Sequence, residues 1–163
     1  MARKKPVKAA PKKKPPAKKM AKPKITRDGG PMGWPTLSTY LVVQDATASV
    51  RFYQAAFGFR VEGALMKDDR GLVQHAGMRL GEAAIMFGPR GMSPEMRAPA
   101  TSGAVDSLSM YVYVPDVDAL TARALRAGAH MLQSPADQFW RDRVATFKDP
   151  DGYHWSFATH LGN

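Results

Sequence analysis

The chain of 163 residues contains no cysteine, which excludes disulfide bridges, thiolate metal ligands and cysteine nucleophiles. It also lacks an apolar run near the roughly 20 residues that a membrane helix needs, and no apolar block follows its basic N-terminus as it would in a secretory signal. We therefore expect a soluble, cytoplasmic protein. With 44% apolar residues, the chain is sized for one ordinary domain with a proper core.

Acidic residues are absent from the first 27 positions, which hold twelve of the 24 lysines and arginines. The rest of the chain carries twelve basic residues against 14 acidic ones, so the net charge of +10 belongs to this tail. Residues 1–34 are rich in Lys, Pro and Ala, which predicts a disordered tail. Such a tail either contacts a polyanion without reading its sequence or only adds solubility, and the sequence leaves both open.

The segment 144–160 predicts a β-hairpin around which the rest of the folded part is organised. Two alternating runs flank the turn Asp149-Pro150-Asp151-Gly152, whose residues favour a tight reversal of the chain. Side chains alternate between the faces of a strand. Tyr153, Trp155 and Phe157 therefore form a core-facing set, and His154, Ser156, Ala158 and His160 form the opposite, cavity-facing set.

The same order of elements is predicted twice. Residues 36–88 are typical of a strand (36–43), a helix (46–57) capped by Asp45 and ended by Gly58, and three further strands (60–67, 72–80, 83–88). After a linker at 89–107, residues 108–160 repeat the order, with a strand at 108–114, a helix capped by Asp116 or Asp118, an extended segment at 129–133, and the hairpin. Two tandem βαβββ modules within 35–163 predict an α+β fold with two curved sheets, helices on their outer faces, and a cleft between their inner faces.

Three stretches, YLVVQDATASVRFYQAAFGFRV, MYVYVPDVDALTARALRAGA and DPDGYHW, resemble the module signatures of the vicinal oxygen chelate superfamily. This superfamily includes glyoxalase I, extradiol dioxygenases and bleomycin-resistance proteins. The resemblance covers residues 36–160 and implies the glyoxalase/bleomycin-resistance fold. It does not choose an activity, because one fold serves many functions.

The resemblance also implies where a metal would bind. Enzymes of the family hold a divalent metal with His and Glu on the first and last strand of each module, and those positions fall on Ser38, Met86, Ser109 and Ser156. Serine hydroxyls and a thioether do not replace imidazole and carboxylate ligands. The expectation is therefore a cleft without metal or other cofactor and without catalytic residues.

The cleft wall that remains is aromatic and hydroxyl-rich, and it suits a planar or amphipathic organic ligand. The predicted binding residues are Ser38, Tyr40, Met86, Ser109, Tyr111, Tyr113, Trp140, Arg143, His154 and Ser156. The alternative is that the tyrosines fill a small core.

The loop Gln138-Phe139-Trp140-Arg141-Asp142-Arg143 resembles a Phe-Trp-Gly-Asp-Arg motif of bacterial family members, with Arg141 in place of the glycine. Trp140 would stack on a ligand, and Arg141 or Arg143 would bind its carboxylate or phosphate. The alternative is an ion pair of Arg143 with Asp142 or Asp149 that fixes the hairpin.

These observations predict a bleomycin-resistance-like protein that binds a small organic molecule, and the resemblance implies a homodimer. One rival is a metal-dependent lyase, isomerase or dioxygenase in which His154 or His160 meets Glu82 or His75 at one metal. A second rival is a nucleic-acid-associated protein that works through the basic tail.

Overall fold

The computed structural model describes residues 29–89, 95–103 and 108–162. The chain divides into two compact units, Met1–Met32 and Gly33–Asn163. Of the first unit only residues 29–32 are described, so the prediction of a disordered tail falls outside the described residues up to position 28. All of the helices and strands below belong to the second unit.

The first module forms a four-stranded mixed sheet. Its elements are β1 (Thr39–Val43), α1 (Ala46–Phe52), a π-helical turn π1 (Tyr53–Phe57), β2 (Arg60–Lys67), β3 (Val73–Leu80) and β4 (Ala83–Pro89). The strand order is β1-β4-β3-β2, with β1 parallel to β4 and the other pairs antiparallel.

The second module repeats this topology after a short helix, α2 (Pro99–Ser102). Its elements are β5 (Ser109–Tyr113), α3 (Val117–Arg126), β6 (His130–Asp137), β7 (Asp142–Lys148) and β8 (His154–His160). The strand order is β5-β8-β7-β6, with β5 parallel to β8. The predicted α+β fold of two tandem βαβββ modules is confirmed. No helix among the described residues has the length and apolar character needed to cross a membrane.

The helices begin where the sequence predicts. The Asp45 carboxylate accepts hydrogen bonds from the amides of Thr47 and Ala48 at 2.8 and 3.0 Å, and Asp116, rather than Asp118, caps α3 through the amide of Ala119 at 2.9 Å. Each cap satisfies amides that have no partner within the helix.

Three elements differ from the prediction. The helix expected over 46–57 changes at Tyr53 into π1, where the amide of Gly58 reaches back to the Tyr53 carbonyl. The extended segment expected at 129–133 continues to Asp137, because it pairs with the whole length of β7. The short α2 lies within the predicted linker, and Thr101 and Ser102 close it by donating to the carbonyls of Ala98 and Pro99.

One core joins the two modules. Trp155 and Phe157 on β8 are fully buried and stack nearly parallel, with ring centroids 6.0 Å apart. Tyr53, Phe57 and Phe59 of the first module pack against Trp155 at centroid distances of 5.5 to 5.7 Å. The predicted core-facing side of β8 is confirmed for Trp155 and Phe157, and burial of each large aromatic contributes about 2 to 3 kcal/mol.

The turn between β7 and β8 carries two buried carboxylates, Asp149 and Asp151, and residues of this turn bond to the first module. Asp151 accepts hydrogen bonds from the amide of Gln44 and the hydroxyl of Ser49, both at 2.8 Å. The hydroxyl of Tyr153 accepts from the Val42 amide at 2.9 Å and donates to the Val42 carbonyl at 3.0 Å. These bonds attach the second module's turn to β1 and α1 of the first.

Candidate functional site

The side of the first sheet that faces away from the helices, its helix-free face, carries Ser38, Tyr40 and Met86. Ser38 directly precedes β1, and Met86 lies on β4 opposite Tyr40. The Oγ of Ser38 is buried and has no hydrogen-bond partner among the described residues. Tyr40 stacks on His75 with ring centroids 5.9 Å apart. The structure thus brings three of the predicted site residues to one face.

Trp34 covers part of this face. A Cβ added at Gly77 would lie 2.7 Å from the Trp34 ring, so the ring rests directly on the glycine. The Arg79 guanidinium lies 5.5 Å from the centroid of the same ring and donates to the Gly33 carbonyl. Because Gly77 pairs with Met86, the ring is next to one of the four positions assigned to metal ligands. Trp34, the last residue of the predicted tail, thus packs on the first module.

The helix-free face of the second sheet carries the other two assigned ligand positions. Ser109 on β5 donates to the His154 carbonyl at 3.4 Å, and the Oγ of Ser156 on β8 lies 3.3 Å from the Oγ of Thr146. Ser156 pairs with Tyr111, and Ser109 pairs with His154. These predicted site residues share one face because directly paired residues project to the same side of a sheet.

A divalent metal does not fit this donor set. The four positions offer three neutral hydroxyls and one thioether, none of which is a usual anchor for Zn²⁺, Ni²⁺, Fe²⁺ or Mn²⁺. Within residues 29–89, 95–103 and 108–162, no three His, Asp or Glu side chains come together in a group that could hold a metal.

One end of the second sheet's helix-free face carries a buried carboxylate and two phenols. Asp142, at the start of β7, is 2% exposed. Its Oδ2 accepts hydrogen bonds from the hydroxyls of Tyr111 at 2.8 Å and Tyr113 at 2.9 Å. The two rings meet edge to face, with centroids 5.5 Å apart and planes at 66°. We call Tyr111, Tyr113 and Asp142, with Trp140 and His160 beside them, the tyrosine wall.

Two further side chains complete the tyrosine wall. The Nδ1 of His160 lies 2.8 Å from Oδ1 of Asp142, and the indole N–H of Trp140 donates to the Tyr111 hydroxyl at 3.3 Å. The hydrogen bond from His160 holds the pKa of Asp142 below its usual value, against the opposing effect of burial. The hydrogen bond to Asp142 raises the pKa of Tyr113, and burial raises that of Tyr111. Both phenols therefore stay protonated beside an ionised carboxylate at neutral pH.

Asp142 is the site residue that the sequence prediction missed. It was considered there only as an ion-pair partner of Arg143. The signal that could have identified it is its place on β7, two residues before Val144 and directly opposite His160 in the hairpin. The register of that hairpin puts Asp142 on the cavity-facing side with His160.

Arg143 lies apart from the other predicted site residues. It pairs with Thr159 on β8 and projects toward α3, where its guanidinium donates to both carboxylate oxygens of Asp118 at 2.7 and 2.9 Å and to Asp137 at 2.9 Å. The ion pair anticipated with Asp142 or Asp149 is thus made instead with Asp118 and Asp137. Two carboxylates already occupy the group that was predicted to bind an anionic ligand.

The loop between β6 and β7 places Arg141, which stands where the resembling motif has glycine, in a left-handed conformation. Arg141 has φ of 68° and is the one non-glycine residue with positive φ among the described residues. Its carbonyl accepts from the Leu161 amide at 2.9 Å, and its guanidinium donates to the Gly162 carbonyl. These bonds hold an arginine in a left-handed conformation that is costly for a residue with a Cβ.

A cavity of about 250 Å³ lies at the seam between the two sheets. Phe59, Trp155 and Met110 contribute apolar lining, and Ser109 and Tyr111 contribute polar groups. Residues on either side of Ser38, namely Leu37 and Thr39, also line it. The cavity therefore connects the first strand of one module with the tyrosine wall of the other.

Comparison with known proteins identifies a family model and relatives that match this chain. The model of the Glyoxalase/Bleomycin resistance protein/Dioxygenase superfamily matches residues 36–157. An uncharacterised protein of Mycobacterium bovis is 35% identical over 127 residues, which cover 76% of this chain and 82% of the relative. An uncharacterised protein of Mycobacterium tuberculosis is also 35% identical over 127 residues, with coverage of 76% and 74%.

Solved structures share the fold. TioX from Micromonospora sp. ML1 matches with a TM-score of 0.62 at 27% identity, covering 77% of this chain and 98% of that one. TnmS3, an antibiotic binding protein from Streptomyces sp. CB03234, matches with a TM-score of 0.57 at 22% identity, covering 76% and 93%. The likeness to TnmS3 is one of fold alone.

Proposed function

From the premise that the chain belongs to the Glyoxalase/Bleomycin resistance protein/Dioxygenase superfamily, we propose that it binds a small, planar organic molecule against the tyrosine wall, without a metal. The ligand would lie over Tyr111, Tyr113 and Trp140 and extend into the cavity at the seam between the sheets.

The observation that carries this proposal is the exposure of two immobilised tyrosines. Tyr111 is 45% exposed and Tyr113 63% exposed, yet both are fixed to one buried carboxylate. Side chains held in place before a ligand arrives lose less conformational entropy on binding. Aromatic faces with a few oriented polar groups are what a planar ligand needs.

The polar groups around the cavity fit the same proposal. Ser109 and Tyr111 line the cavity, whereas Ser38 lies on the helix-free face of the first sheet, where its buried Oγ has no partner among the described residues. A hydroxyl in that situation gains a hydrogen bond when a ligand polar group reaches it. The antibiotic binding protein TnmS3 shares this fold, which is consistent with a role in sequestering an organic molecule.

Native mass spectrometry of the full chain tests the proposal, first as purified and then with added Zn²⁺, Ni²⁺ and Mn²⁺. We expect no tightly held divalent ion, and any retained ligand should appear as an organic mass. Substitution of both Tyr111 and Tyr113 by serine should remove that mass. One metal per chain that survives desalting would overturn the proposal and favour a metal-dependent lyase, isomerase or dioxygenase.

A homodimer is the assembly we propose for this chain. Large apolar side chains on the second module remain exposed in the single chain, among them Leu108, Leu125 and Leu132. Exposed apolar area of this kind is typical of surfaces that a partner covers. Analytical ultracentrifugation should give twice the monomer mass at micromolar concentration, and a monomer at hundreds of micromolar would contradict the proposal.

The basic N-terminus supports a second candidate function, contact with nucleic acid. Twelve lysines and arginines with no acidic residue in positions 1–27 favour binding by counterion release. The full chain should bind a DNA duplex with an affinity that falls steeply with salt, and deletion of residues 1–27 should abolish it. Salt-insensitive binding, or binding that survives the deletion, would contradict this function.

A further inference from the structure

The tyrosine wall has an unusual distribution of hydrogen-bond donors and acceptors. An ionised carboxylate carries no hydrogen, so the hydroxyl hydrogens of Tyr111 and Tyr113 must both point at Asp142. Each phenolic oxygen then presents only lone pairs to its other neighbours. Tyr111 uses one for the Trp140 indole at 3.3 Å, while the Tyr113 oxygen accepts no hydrogen bond from the described residues. The wall thus offers acceptors and no hydroxyl donor.

The carboxylate of Asp142 within the wall is negative, and so is the electrostatic potential at these lone pairs. Asp142 lies beneath the two phenols. The faces of Tyr111, Tyr113 and Trp140 add the negative side of their ring quadrupoles. An anionic group placed here would meet a carboxylate and oxygen lone pairs.

The neighbouring cations are directed elsewhere or are far away. Arg143 projects to the opposite face and is bonded to Asp118 and Asp137, and the Arg141 guanidinium bonds to the Gly162 carbonyl. Lys148 lies on the same strand as Asp142 but six residues further, roughly 20 Å along β7. His154 pairs with Lys148 at that far end of the strands, so among the described residues of β7 and β8 His160 is the basic group beside Asp142 on this face, with its Nδ1 2.8 Å from the carboxylate.

We infer that the tyrosine wall recognises the cationic end of its ligand, a protonated amine or a quaternary ammonium attached to the planar body. A cation over two tyrosines and a tryptophan gains the attraction of their π-systems, and an N–H of a protonated amine can donate to the free lone pair of Tyr113. This inference rests on the proposed function and names the ligand class for the same site.

The test compares three naphthalenes of similar size whose substituents are positive, neutral and negative. Binding of 2-naphthylmethylammonium, 2-naphthylmethanol and 2-naphthoate to the full chain is measured by calorimetry at pH 8. We expect the cation to bind about tenfold more tightly than the alcohol, and the alcohol more tightly than the carboxylate. The indole N–H signal of Trp140, identified by its loss in Trp140→Phe, should shift on titration with the cation.

Asp142→Asn and Asp137→Asn form a matched pair of variants. Each removes one negative charge, but Asp142 lies under the phenols while Asp137 is bonded to Arg143. Asp142→Asn should reduce the preference for the cation over the alcohol from about tenfold to near unity, and Asp137→Asn should leave it unchanged. An equal effect of both variants would mean that only net charge matters, which would overturn the inference.

If Asp142→Asn does not fold, the wild-type chain alone still shows whether the wall prefers a positive, neutral or negative ligand. Equal binding of the cation and the alcohol, or tighter binding of the carboxylate, would overturn the cation inference and leave the proposed function standing. Failure of all three naphthalenes to bind would count against the proposed function itself.

Discussion

The phenol of Tyr53 in the first module donates a 2.7 Å hydrogen bond to the carboxylate of Asp149 in the second. Both residues are buried. The indole N–H of Trp155 donates to the same oxygen at 2.9 Å, and two amides of the turn, of Asp151 and Tyr153, donate to the other oxygen at 3.0 and 2.9 Å. Asp149 therefore collects four donors from two modules.

Tyr53→Phe should destabilise the chain by about 1 to 3 kcal/mol, because it leaves a buried carboxylate oxygen with one donor fewer and no access to water. Urea unfolding followed by tryptophan fluorescence measures the loss. Tyr113→Phe is the control, since its partner also loses one phenol but water reaches the exposed ring, and it should cost less. Equal losses for the two variants would show that the Tyr53 hydrogen bond contributes no more to stability than the Tyr113 hydrogen bond.

Gly152→Ala should be more damaging than Gly71→Ala. Both glycines have positive φ, 94° and 79°, but a Cβ at position 152 would lie 2.5 Å from the Ala100 amide nitrogen, whereas position 71 is open. The left-handed conformation alone costs about 1 to 2 kcal/mol for alanine, and the clash at position 152 adds to it. It also displaces α2, whose Ala100 amide donates to the Asp151 carbonyl at 2.9 Å. Thermal unfolding midpoints should separate the two variants, and coincident midpoints would argue against close packing of α2 on the turn.

Arg141→Gly should be more stable than Arg141→Ala by about 1 kcal/mol. Both variants lose the bond from the guanidinium to Gly162, so they differ only in the Cβ, which is strained at φ of 68°. The greater flexibility of glycine in the unfolded chain offsets part of the gain. Differential scanning calorimetry of the two variants measures the difference, and a more stable alanine variant would refute the left-handed conformation.

The stability contributed by Asp142 should depend on pH in a defined direction. Its pKa is lowered in the folded chain, chiefly by the hydrogen bond from His160. A group with a lowered folded-state pKa stabilises the fold above its unfolded pKa, which is about 3.8 for an aspartate, and loses that effect as the pH falls through the folded value. The difference in free energy of unfolding between wild type and Asp142→Asn should therefore shrink on acidification below about pH 4. A difference that stays constant from pH 7 to pH 3 would contradict the assigned hydrogen bonds.

The repeated βαβββ order and the caps at Asp45 and Asp116 could be predicted because they depend on local chemistry. Periodicity, turn residues and N-caps are properties of short segments. The π-helical turn at Tyr53 could not be predicted in this way. It places Tyr53 and Phe57 against Trp155, about 100 residues later in the chain, and that contact is tertiary.

Part of the site could likewise be predicted, because the alternation of side chains along a strand is a local property. Strand parity grouped Tyr111, Tyr113 and Ser156 on one face, where the structure also has them. Parity also separates Arg143 from Asp142, but the partners of Arg143 lie on α3 and β6. Their identity depends on how the helix packs on the sheet, which a single sequence does not specify.

The carboxylates of Asp149 and Asp151 have a consequence for the history of the repeat. A duplicated unit is expected to keep some independence, yet here the turn of the second copy provides buried acceptors for Tyr53, Ser49 and the Gln44 amide of the first. Removing either copy would leave those groups of the other without partners. Each half therefore depends on the other, and recombination that exchanged one half would have to keep these donors and acceptors paired to avoid the cost of unpaired buried groups.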